Sequence, residues 1–239
     1  MNKAEPNAVV DDFVTRTTEA LGDWTAIDAY IPPRTPRTLS LRRRVAGDAF
    51  LALMISWEGF FSDWMIAAVN RRPGKAVATL TSRLNAYADK DLGLPPGRLS
   101  ASLLTTSHLN LGDVRRVLDA SGHNIVARDY AELQKHADRW LTDGYETAVR
   151  SVTSYAFSPV VVGRLVRNAM AHASESALTE VDRSLRAASI PPELRLTAVK
   201  KNSVPGWRSY LTAKPTVGSA ARVELLHRSL ISVAGSLNV

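Results

Sequence analysis

The chain has 239 residues, 45% of them hydrophobic and 22% charged, enough apolar material for one full core or at most two small ones and too much for a disordered chain. It contains no cysteine, which excludes thiolate catalysis, Cys-ligated zinc, iron–sulfur clusters and a disulfide-stapled scaffold. Thirty basic against 23 acidic residues give a formal charge of +7, and 23 of the basic residues are arginine, the side chain that grips phosphate through paired hydrogen bonds. The balance tilts expectation toward nucleic acid as a partner, although GC-rich coding leaves the same arginine skew.

The opening segment, Met1 to Phe13, lacks the apolar run of a secretory signal, and Asp11 and Asp12 argue against a transit peptide while reading as helix-dipole compensation. Spacing predicts a first helix over 8–30, closed by Pro32, Pro33 and Pro36. A long helix follows from about Leu39 to Asn70, on which Phe50, Leu53, Met54, Trp57, Phe61 and Trp64 recur at three- and four-residue steps. Its most apolar part, Ala49 to Val69, carries Glu58 and Asp63 and so reads as a buried amphipathic helix, not a membrane span. A soluble, cytoplasmic protein with no membrane partner is the expectation. Arg71-Arg72-Pro73-Gly74 ends this helix, Ala76 to Leu92 reads as the next, and Pro95-Pro96-Gly97 as the loop after it.

Asn110 reads as the N-cap of a helix over Leu111 to Ala120, with Gly122 as its stop. Residues 128–156 read as helical with a break at Gly144, and Ser158-Pro159 as the start of a helix running through Ala173. Shorter helices are predicted at 178–188 and 193–201, and a final one at 217–235. Strand alternation is nearly absent, and there is no repeat or low-complexity tract. The predicted fold class is all-α, with residues 1–38 as an N-terminal helix and Pro-rich arm and 39–239 as one helical domain.

One segment carries recognisable chemistry: Arg167-Asn168-Ala169-Met170-Ala171-His172. At 100° per residue, Val162, Leu165, Val166, Ala169 and Ala173 fall on one side, which must face the core, and Arg164, Arg167, Asn168, His172 and Glu175 fall on the opposite arc. Asn168 and His172 stand one turn apart, with Arg167 at the other edge of the arc. Asparagine is a poor interior helix residue, so a side-chain role is implied. These groups suit RNA cleavage without a metal. Histidine can take the proton of a ribose 2′-hydroxyl or return one to the leaving oxygen, arginine can hold the phosphate oxygens as charge builds, and the amide can orient either. One helix supplies one histidine, so a second copy of the chain would complete an acid–base pair. The bare spacing also occurs from Arg222 to His227 and from Arg116 to His123. However, His123 lies beyond the Ser121-Gly122 stop, and His227 beside Leu225-Leu226 reads as a packed residue. A helix with a solvated polar stripe is the competing reading of 167–172.

The run Arg167-Asn168-Ala169-Met170-Ala171-His172 resembles the signature helix of the HEPN superfamily, in which an Arg-Asn pair and a histidine recur as Arg-x4–6-His. Ser56-Trp57-Glu58-Gly59-Phe60-Phe61 resembles the long early helix of HEPN proteins of the RiboL-PSP type, and Leu109-Asn110-Leu111-Gly112-Asp113-Val114 with Gly122 is similar to the start of their mid-domain helix. The resemblance covers roughly residues 40–190, with 128–157 as extra helical sequence. It implies an antiparallel HEPN-type bundle with additional helices that dimerises through the signature helices, giving a composite, metal-independent ribonuclease site. Carried over by position, Arg167 and His172 are catalytic and Asn168 orients. Arg164 is expected to bind substrate, and no cofactor or metal is expected. Family members often hold a further polar residue on an earlier helix, for which Glu58 is the candidate, with a plain surface carboxylate as its commoner reading. Many such proteins are toxins or abortive-infection effectors, so RNA, a second copy and a cognate antitoxin or defence-system protein are the expected partners.

Two other function classes stay in view: a non-catalytic HEPN-like module that binds RNA or protein, and a helical DNA-binding regulator using Leu111 to Ala120 as recognition helix. Arg42-Arg43-Arg44 and Arg71-Arg72 could contact RNA backbone, though a solvated helix end is commoner. His108, His123 and His136 lack partners at ligand spacing. The tryptophans read as core, with Trp207 placed on an exposed loop. No Gly-rich phosphate loop and no Gly-x-Ser-x-Gly elbow occur.

Overall fold

Two prolines set the first two helices. Pro6 begins α1 (Pro6–Tyr30), and Pro36 begins α2 (Pro36–Arg71), where its missing N–H costs nothing. Pro36 therefore opens the second helix and does not close the first. Thr35 caps it reciprocally with Thr38, each accepting from the other's backbone N–H, at 3.2 and 3.1 Å. The computed structural model describes residues 4–32, 35–92, 110–196, 204–216 and 218–239, and no strand occurs among them.

The aromatic stripe of α2 is the centre of the core. Phe50, Trp57, Phe60, Phe61 and Trp64 are all buried, and Phe13 of α1 stacks on Phe60 with centroids 4.4 Å apart. Val10, Phe13 and Trp24 thereby join the same core as α2. By length and composition α2 could cross a membrane, yet 50% of its most apolar window is buried inside the fold. Asp11 and Asp12 lie past the first turn of α1, so they do not compensate its dipole; Asp12 pairs instead with Arg16 one turn on.

Next come α3 (Gly74–Leu92), α4 (Leu111–Leu118), α5 (Tyr130–Trp140) and α6 (Asp143–Ser151). Asn110 caps α4 as expected, its Oδ1 accepting the Asp113 N–H at 2.9 Å, and Gly122 turns the chain after it at φ +70°. The expected break at Gly144 lies earlier. Buried Leu141 stays extended to reach the core, and Gly144 sits within α6, where a Cβ would come within 2.6 Å of Val239. Lys75 of α3 ties to Glu146 of α6 at 2.6 Å and holds that carboxyl below the usual carboxylate range.

The helix that carries Arg167 to His172, α7 (Ser154–His172), starts four residues before the expected Ser158-Pro159. Thr153 is its cap, and Pro159 lies inside the helix, unable to donate to the Tyr155 carbonyl. The Ser158 hydroxyl donates to that carbonyl instead, at 2.7 Å, which repairs the ladder locally. Ala173, left-handed at φ 48°, ends α7, and Ser174 caps α8 (Glu175–Ser184) by accepting the Ala177 N–H. Glu175 thus belongs to the next helix and Ala173 is exposed, so neither shares the arc assigned by periodicity.

Glu193 to Leu196 form a turn and extended chain, not a helix, while 197–203 lie outside the described residues, as do Pro33, Pro95 to Gly97, His108 and Leu109. An unexpected helix, α9 (Val204–Thr212), follows. Trp207 on it is buried, edge-on to Tyr210 at 5.7 Å, so it is core and not an exposed loop residue. The last helix, α10 (Arg222–Gly235), starts later than predicted and packs against α1, α2 and α7.

Candidate active site

Close approach of α7 to α2 positions the candidate site. Gly163 meets Met54 so tightly that a Cβ there would lie 2.5 Å from the Met54 sulfur. Val162, Leu165, Val166 and Ala169 are buried, as the periodicity of the segment requires. The polar arc emerges beside this contact.

Arg167 is its best-fixed member. Its Nη2 donates to both carboxylate oxygens of Glu58, at 2.8 and 2.7 Å, and its Nη1 donates to the Asn168 Oδ1 at 2.9 Å. Both partners of the ion pair are mostly shielded, with side-chain exposures of 27% for Arg167 and 22% for Glu58. Glu58 is therefore no plain surface carboxylate. It anchors the guanidinium from α2, and the Asn168 side-chain oxygen accepts from its other side. Two guanidinium nitrogens held by two different partners fix its plane, which a lysine could not supply.

His172 stands one turn beyond Asn168 as the last residue of α7, exposed, with no hydrogen bond to its ring among the described residues. Arg164, one turn before Asn168, donates from its Nε to the Arg128 carbonyl at 3.1 Å and lines a small pocket with Trp57, Glu58 and Ile125. The structure thus joins Arg167, Asn168 and Glu58 in one hydrogen-bonded cluster and leaves His172 and Arg164 on either flank. Glu58 balances the charge of Arg167, while Arg164 has no carboxylate partner among the described residues.

His123, His136, His227 and the arginines bracketing α2 take no part in this cluster. His227 is buried, with Nδ1 2.8 Å from the Val223 carbonyl, and burial pushes its pKa below the ordinary value. The His136 Nε2 sits 3.0 Å from the Val126 carbonyl, and His123 is exposed after α4. No group of three or more His, Asp or Glu side chains gathers at metal-binding distance among the described residues. Arg42 pairs with Asp28, Arg71 with Glu5 and Arg72 with Asp143. Sequence reasoning missed one feature: a cleft of about 690 Å³ between α1, α2 and α4, floored by Ile55, Gly59 and Phe60 on a different face of α2 from Glu58. Small residues at Ala8, Ser56, Gly59 and Gly112 were its only trace in the sequence.

No family model, no curated protein and no solved structure matches the chain.

Proposed function

We propose that this chain is a metal-independent endoribonuclease of the HEPN type, acting as a toxin or anti-phage effector, with its site completed by a second copy of the chain. The observation that carries the reading is the guanidinium of Arg167, fixed by Glu58 and Asn168 on the helix that ends in an exposed His172. A structural ion pair needs no adjacent amide and no free imidazole one turn away; a phosphate-gripping site uses all three.

In this reading Arg167 presents its remaining N–H groups to the non-bridging oxygens of the scissile phosphate, where negative charge grows in the transition state. One His172 removes the 2′-hydroxyl proton. The 2′-oxygen attacks phosphorus, the bond from phosphorus to the 5′-oxygen breaks, and the His172 of a second copy protonates that oxygen. The products are a 2′,3′-cyclic phosphate and a 5′-hydroxyl. Arg164 steadies a neighbouring phosphate.

One observation favours the second reading, a non-catalytic module that binds RNA or protein: the charge of Arg167 is already matched by Glu58. The two separate on cleavage of end-labelled cellular RNA in excess EDTA by the wild type and His172→Ala. The nuclease cuts only as wild type and leaves cyclic phosphate ends. Equal cutting by both proteins, or none by either, removes the nuclease reading.

A further inference from the structure

The distal end of the α1–α2 hairpin stands clear of the core. After Trp24 on α1 and before Ala46 on α2, none of the described residues is buried, and the Arg42–Asp28 ion pair bridges the two helices there. Arg37, Arg43 and Arg44 are exposed, and none has a carboxylate partner among the described residues. Tyr30, the last residue of α1, is 88% exposed at the same end of the hairpin.

The arrangement on α2 is ordered. Arg43, Arg44 and Arg37 span roughly 120° of the helix circumference, Leu39 and Leu41 lie at the two edges of that arc, and Glu58 projects to its middle. The face covered by α7 at Glu58 and Met54 is thus the face left bare and basic at the hairpin end. Between the two, Arg208 of α9 and Met170 of α7 close over Gly47, each within 3.2 Å of where its Cβ would stand. Arg44 and Glu58 are fourteen residues apart, which sets the basic end roughly 21 Å from the carboxylate along one straight element.

We propose that this hairpin end is an RNA-binding arm that holds single-stranded RNA by its phosphates, with Tyr30 as a stacking platform, on the side of α2 that leads to Arg167. The proposal rests on the nuclease reading for its purpose, but not for its test. Charge decides the occupant: three guanidinium groups without a carboxylate partner among the described residues crowd one arc, as a polyanion requires, and the two acidic side chains between positions 25 and 48 face other arginines, Asp28 paired with Arg42 and Asp48 3.9 Å from Arg208. Insertion into a lipid surface would want the opposite order, with the leucines at the crest and the arginines at its edges.

The test is fluorescence anisotropy with a labelled single strand of 2′-O-methyl RNA, which lacks the attacking hydroxyl and so reads binding whether or not the chain is a nuclease. The triple variant Arg37→Ala/Arg43→Ala/Arg44→Ala is expected to bind at least about tenfold more weakly, with a log–log salt slope shallower by about 2, at roughly 0.7 per phosphate on a single strand. Tyr30→Ala is expected to lose about fivefold or more and Tyr30→Phe to keep its affinity. The side chains touch no core, so unchanged circular dichroism and melting are expected to accompany the loss. Equal affinity and slope for wild type and triple variant would overturn the arm. So would release of the triple variant from anionic phospholipid vesicles with RNA affinity intact. Arginine-dependent RNA binding without cleavage by the wild type would leave the arm standing and remove only the nuclease.

Discussion

Glu58 and Arg167, 109 residues apart in the chain, share a forked ion pair in which one guanidinium nitrogen reaches both carboxylate oxygens within 2.8 Å. Breaking it strands a half-buried charge. Glu58→Gln is expected to cost about 1–3 kcal/mol in urea unfolding, and Arg167→Ala to cost less in that background than alone. On the nuclease reading, Glu58→Gln lowers kcat about tenfold or more, or about 1.4 kcal/mol of barrier, while RNA affinity moves little. Additive unfolding energies would show that the pair is an incidental contact.

The spacing of α7 from α2 is set at Gly163. A valine there must displace the buried Met54 sulfur, which a Cβ would approach to 2.5 Å. Gly163→Val is expected to destabilise by about 1–3 kcal/mol and, on the nuclease reading, to lower RNA cleavage by pulling Arg167 from Glu58. Met54→Ala makes room, so the double variant melts higher than the sum of the two single losses. Additivity in the melts would place the strain elsewhere.

Burial lowers the pKa of His227 from its ordinary value of 6.5, against the opposing pull of its hydrogen bond to Val223 and of Glu224. The unfolded chain therefore binds a proton more readily than the folded one. The stabilising contribution is complete above the unfolded value and is lost as the pH falls below about 6.5 toward the folded value. Urea midpoints between pH 7.5 and 5 should fall on acidification, with a flatter fall in His227→Gln. Parallel profiles for the two proteins would count against a buried neutral imidazole.

Tyr210 carries the turn before α9. Its buried hydroxyl donates to the Leu194 carbonyl at 2.6 Å, and burial pushes its ionisation well above the usual phenol range. Tyr210→Phe strands that carbonyl, at a cost of about 1–3 kcal/mol in equilibrium unfolding. In an alkaline absorbance titration the wild type should show one tyrosine that ionises only on unfolding, absent from the variant.

Where side chains repeat with the helix, the sequence could be read well. The stripe from Phe50 to Trp64 and the core side of α7 over Val162 to Ala169 follow periodicity, and Asn110 announces its cap through a side-chain oxygen near its own helix start. Errors arise where a compensating group lies off the pattern. Pro159 reads as a helix start because its missing N–H is the visible fact, while the Ser158 hydroxyl that makes good the loss shows only in three dimensions. Gly144 reads as a breaker because nothing local says that Val239 needs the space. Trp207 follows Pro205-Gly206, a loop signal, and is drawn into a helix by burial against Tyr210. The arc holding Arg167, Asn168 and His172 was legible; Glu58 could be singled out only through a family likeness, and its pairing with Arg167 not at all, because no spacing rule links positions 58 and 167.

One consequence of α2 is torsional. It is a single unbroken helix of 36 residues, about 54 Å long, carrying the arginine crest near one end and Glu58 further along. The two stretches are locked in phase by residue count alone. Inserting one residue between Gly47 and Glu58 would swing the crest about 100° around the axis relative to the carboxylate, whereas inserting seven would bring it back to within about 20° while lengthening the reach. Length and orientation along this helix can therefore change separately only in steps of whole turns.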